Sequence, residues 1–427
     1  MKYLLYGFGK SNQALKKYFD QLGMDYSIVI DEKKDSFSIE ESLALLKDAR
    51  CIIKSPGIFF QTSFLEWAKR LHVEVISDFE LYYRFFPQKD YYIVTGSVGK
   101  TTTVHLLSRM LSNSYNRDIK PVGNVGNAFF NDVNETKLVV EASSFMLHQT
   151  YSVKPNVYVI TNLFPHHLDY HLTFDNYYLD KTKLIQQIKP GGLLVYPYDD
   201  QRLRMDFEKV NHINVSSFSL TNQEATCYVK GGWIMLHRIP FIEVSKLPRN
   251  ENHNLLNMMA SILVASYLNI DKRDIVDALK AFQGVKYRFE TIYHQSGVTI
   301  INDSKSTTPV ATKSALESVH ILYPNVKKIL ILGGILKNES FSILDGFLKE
   351  YQMVYCFGTS ATQLALQVNA TRIKVMDTLE EVVNDLDLDA ESVVLFSPGC
   401  VSFDQYENFE KRGEAFNILI KGKLNIK

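Results

Sequence analysis

"YYIVTGSVGKTTTVHLL", residues 91–107, decides how this chain is read. An apolar run of strand length, 91–94, meets two glycines, a lysine and three threonines, and an apolar helical pattern follows. Strand, glycine loop and helix in that order make an anion site, because N–H groups at a helix N-terminus face the ligand and a lysine adds a point charge. Gly96, Ser97, Val98, Gly99, Lys100, Thr101 and Thr102 are therefore candidate nucleotide-binding residues, with Thr101 placed to hold Mg2+. The strict pattern G-x-x-x-x-G-K-[ST] asks for glycine five positions before Gly99, where Val94 stands. The loop is a shortened variant, or a glycine turn that happens to sit between a strand and a helix.

Outward from this loop the chain repeats the same grammar. "KLVVEAS", "NVYVITNLF" and "GGLLVYP" are apolar runs closed by polar or turn residues, and they predict buried parallel strands. Residues 213–245 alternate without helical period and predict edge hairpins; "HNLLNMMASILVASYL" predicts a helix. Upstream, "KYLLYGFG", "NQALKKYFDQLG" and "DYSIVID" predict a βαβ start, and "CIIKSPGI" a later strand ending in a turn. Downstream of Val285, "GVTIINDS", "KKILILGG", "MVYCFGTS" and "SVVLFSPGC" predict a third set of strands. The expected architecture is α/β in three domains: a Rossmann-like one over 1–87, a central phosphate-loop ATPase-like one with a parallel sheet over 88–285, and a Rossmann-like one over 286–427.

The balance of 47 basic and 47 acidic residues in 427 gives no net charge, which argues against a nucleic-acid or anionic membrane partner. Four scattered cysteines, Cys51, Cys227, Cys356 and Cys400, suit a reducing compartment better than a disulfide framework. "MKYLLYGFGK" reaches glycine and charge too soon for a signal peptide, and no apolar run is long enough to span a bilayer. The expected location is cytoplasmic.

Other residues carry chemistry. Gly7-x-Gly9, with Asp31 ending the next strand, suggests a dinucleotide turn, but Asn12 takes the place of the third glycine, so a plain strand–helix turn fits as well. Glu141 ends a strand beside the loop and can hold a metal shared with a nucleotide, or serve as a helix-start acid. In "TNLFPHHLDYH", His167, Asp169 and His171 fit a hydrolase metal triad, a cleft-facing loop, or a middle case. In the middle case, which we favour, His167 touches a Mg2+–phosphate cluster and Asp169 orients the nucleotide.

"TGSVGKTTT" resembles the shortened loop of the Mur ligases and folylpolyglutamate synthetases. "EASSF", "TNLFPHHLDYH", "YYLDKTKLI", "HNLLN", "YRFE", "INDSKSTTP", "LGG" and "FSPGCVSFDQYENFEKRGEAF" follow in the family's order, over nearly the whole chain. Val98, Glu251 and Tyr287 depart from the residues common there. The resemblance implies an ATP-dependent amide ligase of peptidoglycan precursor synthesis. "NDSK" and "SPG" are most similar to the branch that adds D-glutamate to UDP-N-acetylmuramoyl-L-alanine. It also implies ATP, two Mg2+ ions and a monomer. By the same resemblance Lys100, Glu141, His167 and a carbamylated Lys181 are catalytic, and Thr101, Glu141, His167 and Lys181 hold metal. Asn254, Arg288 and Asp303 join the loop in binding ATP. Ser11, Asp31, Ser55, Gly57 and Asn124 meet the UDP-sugar, and Lys305, Thr307, Lys337, Ser397 and Phe403 meet D-glutamate. The competing readings are another ligase of the superfamily and, in a different class, a phosphate-loop NTPase that switches partner binding.

Overall fold

The structure is a computed structural model. It describes residues 2–30, 37–131, 133–208, 210–250, 252–336, 339–388 and 391–424, leaving aside the side chain of Asp169. Asp31, Glu251 and Lys337 therefore lie outside the described residues. The chain forms two compact units, Met1–Gln283 and Gly284–Lys427.

The first unit holds two sheets. Strands β1 (Lys2–Tyr6), β2 (Tyr26–Val29), β3 (Ala49–Lys54) and β4 (Val75–Ile76) pair in parallel in the order β2-β1-β3-β4. The larger sheet is built from β5 (Asp90–Thr95), β6 (Val122–Gly123), β7 (Lys137–Glu141), β8 (Val157–Ile160), β9 (Leu193–Pro197), β10 (Asn214–Ser219), β11 (Cys227–Lys230), β12 (Trp233–Leu236) and β13 (Ile239–Glu243). Their order is β13-β12-β11-β10-β9-β8-β5-β7-β6. The hairpins expected over 213–245 are present only from β11 onward, where β11, β12 and β13 pair antiparallel; β10 runs parallel to both β9 and β11. Period-two alternation cannot tell these cases apart. The helix Gln201–Phe207 between β9 and β10 forces a crossover, and a crossover delivers a parallel strand.

The two sheets of this unit share an apolar core. Phe19 and Tyr82 bury against Phe129 and Phe130, and the rings of Phe79 and Phe129 stack with centroids 4.8 Å apart. In the second unit, β14 (Glu290–Gln295), β15 (Val298–Asn302), β16 (Lys327–Gly333), β17 (Tyr351–Phe357), β18 (Ile373–Met376) and β19 (Ser392–Gly399) take the order β14-β15-β19-β16-β17-β18. Only β14 is antiparallel to its neighbour. Apolar clusters cover both faces of this sheet. All four cysteines are free and buried. Among the described residues no helix is long and apolar enough to cross a membrane.

Candidate active site

β5 is flanked by β7 on one side and β8 on the other: the chain passes from β5 to the β6–β7 side and then crosses from β7 back to β8, so the direction of winding reverses at β5. Such a switch point opens a crevice in an α/β sheet. The loop of Gly96–Gly99 lies there, followed by the helix Lys100–Tyr115. That helix starts at Gly99, with φ 83° and no side-chain cap, so its first-turn N–H groups lack the usual oxygen partner. Glycine is required by space as well: a Cβ on Gly96 would stand 1.9 Å from Thr161 Oγ1, and one on Gly99 2.3 Å from Asn257 Oδ1.

The loop is held from three sides. Asn162, just past β8, accepts from the Val98 N–H at 2.9 Å and donates to the Val98 carbonyl at 3.1 Å. Ser97 Oγ is buried, 2.9 Å from the Tyr177 hydroxyl, and donates to the Phe164 carbonyl. Lys100 Nζ donates to the carbonyls of Gly96 and Ser97, both at 2.8 Å. Thr102 lies half-buried in the first turn of the helix. One turn C-terminal to the buried Asn254, on the same helix, Asn257 meets Thr103. Sequence reasoning missed Asn162, Thr103 and Asn257, which no local pattern singles out.

Glu141 ends β7 with 1% exposure. One carboxylate oxygen accepts from Thr101 Oγ1 at 2.8 Å and the other from Asn124 Nδ2 at 2.6 Å. Both donors are neutral, and no salt bridge among the described residues offsets the charge. Lys181 is the reverse case. Its Nζ donates to Thr95 Oγ1 and to the Gly96 carbonyl, each at 2.9 Å. Burial, and then the nearby Lys100 charge, hold its amine well below the usual lysine range; Glu141 and Asp180 pull the other way. His167 caps a short helix with φ 53° and packs its ring 4.7 Å from Phe145. Burial, then His166, Lys100 and Lys181, keep His167 neutral. His167, Lys100, Thr101, Glu141, Asn124 and Lys181 thus gather around one loop.

His171 does not join them. Its Nδ1 lies 3.0 Å from Asp180 Oδ2, which also meets His148 Nδ1 at 2.7 Å. Burial disfavours the Asp180 carboxylate, but these two imidazoles overcome it and hold the group well below the carboxylate range. The hydrolase triad on His167 and His171 is therefore not formed: His171 belongs to a separate cluster with His148 and Asp180.

The remaining candidates fall elsewhere. Ser11 donates to the buried carboxyl of Asp78, and Ser55 Oγ accepts from Asn12 Nδ2 at 3.1 Å, beside an exposed Gly57. Asn12 also reaches the carbonyls of Gly7 and Ile53, so its amide fills the turn where a third dinucleotide glycine would stand. In the second unit Asp303 and Ser397 bond directly, Ser397 Oγ donating to Asp303 Oδ2 at 2.8 Å. Arg288 and Thr307 are half-buried. Lys305 is exposed over the Phe409 ring, and Phe403 is 68% exposed. Arg412, which sequence reasoning passed over, is fully buried and donates to the carbonyls of Ser304 and Cys400 at 2.9 Å each, tying two strand ends together.

Comparison with known proteins agrees with this layout. The Mur ligase middle domain matches residues 94–265, and the Mur ligase, glutamate ligase domain, matches 287–400. The UDP-N-acetylmuramoylalanine--D-glutamate ligase of Oenococcus oeni is 32% identical over 440 residues, covering 99% of this chain and 97% of that one. The protein of the same description from Alkaliphilus oremlandii is 30% identical, covering 98% and 97%. Among solved structures, the UDP-N-acetylmuramate-alanine ligase of Thermotoga maritima superposes over 100% of both chains with TM-score 0.51 at 18% identity, a likeness of fold. With two family domains and near-full-length relatives in agreement, this chain belongs to the Mur ligase family.

Proposed function

We propose that the chain is an ATP-dependent ligase that joins D-glutamate to UDP-N-acetylmuramoyl-L-alanine in peptidoglycan precursor synthesis. One observation carries the reaction class: a buried Glu141 carboxyl, without an ion pair among the described residues, that shares Thr101 with an uncapped helix N-terminus and its lysine. Relatives bearing that activity in their names support the choice of substrates.

The donor set fits a hard cation, since Glu141 and the Thr101 hydroxyl offer oxygens and a carbamate on Lys181 would offer more. Bound Mg2+, two ions in this reading, would neutralise charge on the β- and γ-phosphates. The residues do the positioning. Loop N–H groups and Lys100 hold the phosphates while the γ-phosphoryl passes to the L-alanine carboxylate. The amine of D-glutamate then attacks the acyl carbon, the amide forms and phosphate leaves. Neutral His167 would offer a nitrogen ligand to a second ion. Burial eases loss of the Lys181 ammonium proton, and the free amine can then add to CO2 with loss of a second proton, turning a cation into an anion at a cation site.

In the same reading Asn254 and Arg288 contact the nucleotide, and Asp303 shapes that side through its hold on the Phe289 N–H and Ser397. Ser11, Asp31, Ser55, Gly57 and Asn124 line the nucleotide-sugar side, and Lys305, Thr307, Lys337, Ser397 and Phe403 line the D-glutamate side. The work divides over 1–87, 88–285 and 286–427 in a cytoplasmic monomer. Phosphate release from ATP, measured across a panel of UDP-sugar and amino acid pairs, tests this. Turnover is expected only with UDP-N-acetylmuramoyl-L-alanine and D-glutamate together. Equal turnover with L-lysine or diaminopimelate would overturn the substrate assignment, and release without any acceptor would point to an NTPase switch.

A further inference from the structure

Lys54 has no part in the chemistry above, yet it is buried to 2% exposure at the carboxyl end of β3. Its Nζ donates to two carbonyls, Ser55 at 3.2 Å and Ile58 at 2.6 Å, and stands 5.7 Å from the centre of the Tyr170 ring. These partners are dipoles and a ring face. Among the described residues no carboxylate pairs with it, and burial alone pushes its amine down to about 7. An unneutralised buried ammonium is costly for a fold to keep.

The two carbonyls belong to the turn Ser55–Ile58, closed by the Ile58 N–H on the Ser55 carbonyl at 3.1 Å. Because the ammonium draws both carbonyls inward, the turn's free edge is the Pro56–Gly57 side. Gly57 there is exposed, its φ is not positive, and an added Cβ would meet nothing within 4 Å. The fold gives no reason for that glycine; close approach of a ligand does. The turn packs on Gly7, where a Cβ would come 2.5 Å from Ile58 Cδ1, next to the helix Lys10–Leu22. That helix begins at Gly9 without a side-chain cap. Asp78, the buried acid that accepts from Ser11 at this corner, is pushed up by burial toward its neutral form. The corner thus sets the buried Lys54 amine behind a turn that is open along one glycine edge.

We infer that Lys54 is a positioning residue for the nucleotide-sugar: it sets the Ser55–Ile58 turn for close approach of the diphosphate and supplies that anion's counter-charge. The inference rests on the proposed substrate and names a residue that acts through the turn, behind Ser55 and Gly57. Binding of a diphosphate beside a partly deprotonated lysine must draw a proton onto it. The titratable neighbours facing it are Tyr170 and, beyond the Phe60 ring, His148.

Calorimetry of UDP-N-acetylmuramoyl-L-alanine binding at pH 8, run in two buffers of different ionisation enthalpy, tests it. The wild-type chain should take up a fraction of a proton on binding. Lys54→Met should abolish that uptake and raise Kd by roughly tenfold, with ATP affinity unchanged, while Lys54→Arg should recover most of the affinity. A Lys54→Met chain that binds ATP normally and keeps both the wild-type Kd and the uptake would overturn the inference. If that variant does not fold, absence of proton uptake by the wild-type chain overturns it alone. A wild-type chain that binds ATP but not the nucleotide-sugar would overturn the proposed function together with the inference.

Discussion

Two buried carboxylates, one in each unit, end up with opposite character. Glu141 at the end of β7 accepts one hydrogen bond per oxygen, from Thr101 and Asn124, and keeps lone pairs to spare. Asp303, just past β15, is saturated by its own unit: the Phe289 N–H at 3.0 Å, Ser306 Oγ at 2.6 Å and Ser397 Oγ at 2.8 Å. A carboxylate clasped by three donors organises a loop. One with two neutral donors beside an uncapped helix and a buried lysine awaits a cation. The difference teaches that unmet charge, rather than burial or polarity, separates the reacting centre from the scaffold.

The largest expected effect tests the unmet side. Lys100→Ala removes the ammonium that now caps the Gly96 and Ser97 carbonyls. Turnover should fall on the order of 10³-fold with the thermal transition little changed. Near-normal phosphate release from a folded variant would break the comparison at its stronger end. Lys181→Ala comes next, with a loss on the order of 10²-fold. Acetate or bicarbonate should restore part of it if the side chain works as an anion. Loss without any such rescue would leave Lys181 as a buried tether on Thr95 and Gly96 and remove the carbamate from the mechanism.

The satisfied side makes a prediction about stability. Burial first, against the pull of Ser306 and Ser397, raises the Asp303 carboxyl to about 6. Its folded value thus lies above its unfolded one. Its contribution is fully present below about pH 4 and is lost as pH rises through 6. Asp303→Asn cannot ionise, and the serine hydroxyls can reorient toward its amide. The stability of the variant relative to wild type should therefore grow between pH 4 and 6, by up to about 3 kcal/mol. Urea midpoints at several pH values measure this, and a difference that stays flat with pH would show that Asp303 is ionised throughout.

What the sequence revealed and what it hid follow the same physics. The central strands of both units, such as β5, β8 and β16, were readable because each is a run of apolar residues buried on two faces. The loop was readable because Gly96, Gly99 and Lys100 fall in one short stretch between a strand and a helix. Lys54 and Arg412 were not, since their types usually mark a solvated surface and only the fold shows them buried. Nor could a local pattern tie His171 to Asp180 and His148 rather than to His167, because that choice is made by the helices Ser144–His148 and Phe174–Thr182. Position 98 shows the gap most clearly. Valine there departs from the loop this stretch resembles, which reads as a weakened nucleotide site, yet its N–H and carbonyl are both engaged by the side chain of Asn162. Parallel pairing of β5 with β8, with Thr95 opposite Ile160, brings that asparagine across 64 residues of chain.

The smallest expected effect follows from this substitution. If Asn162 holds the backbone, the side chain at 98 carries little, and Val98→Asn should leave the ATP KM within about threefold of wild type. Asn162→Ala strips both partners from one peptide segment of the loop and should raise the ATP KM by roughly tenfold. The KM for D-glutamate should stay unchanged in both. The pair sharpens the comparison because it separates loop shape from loop charge: Lys100 supplies the charge, and Asn162 the shape. A Val98→Asn chain with markedly tighter ATP binding would reverse the assignment, making the residue at 98 a contact in its own right and Asn162 its substitute.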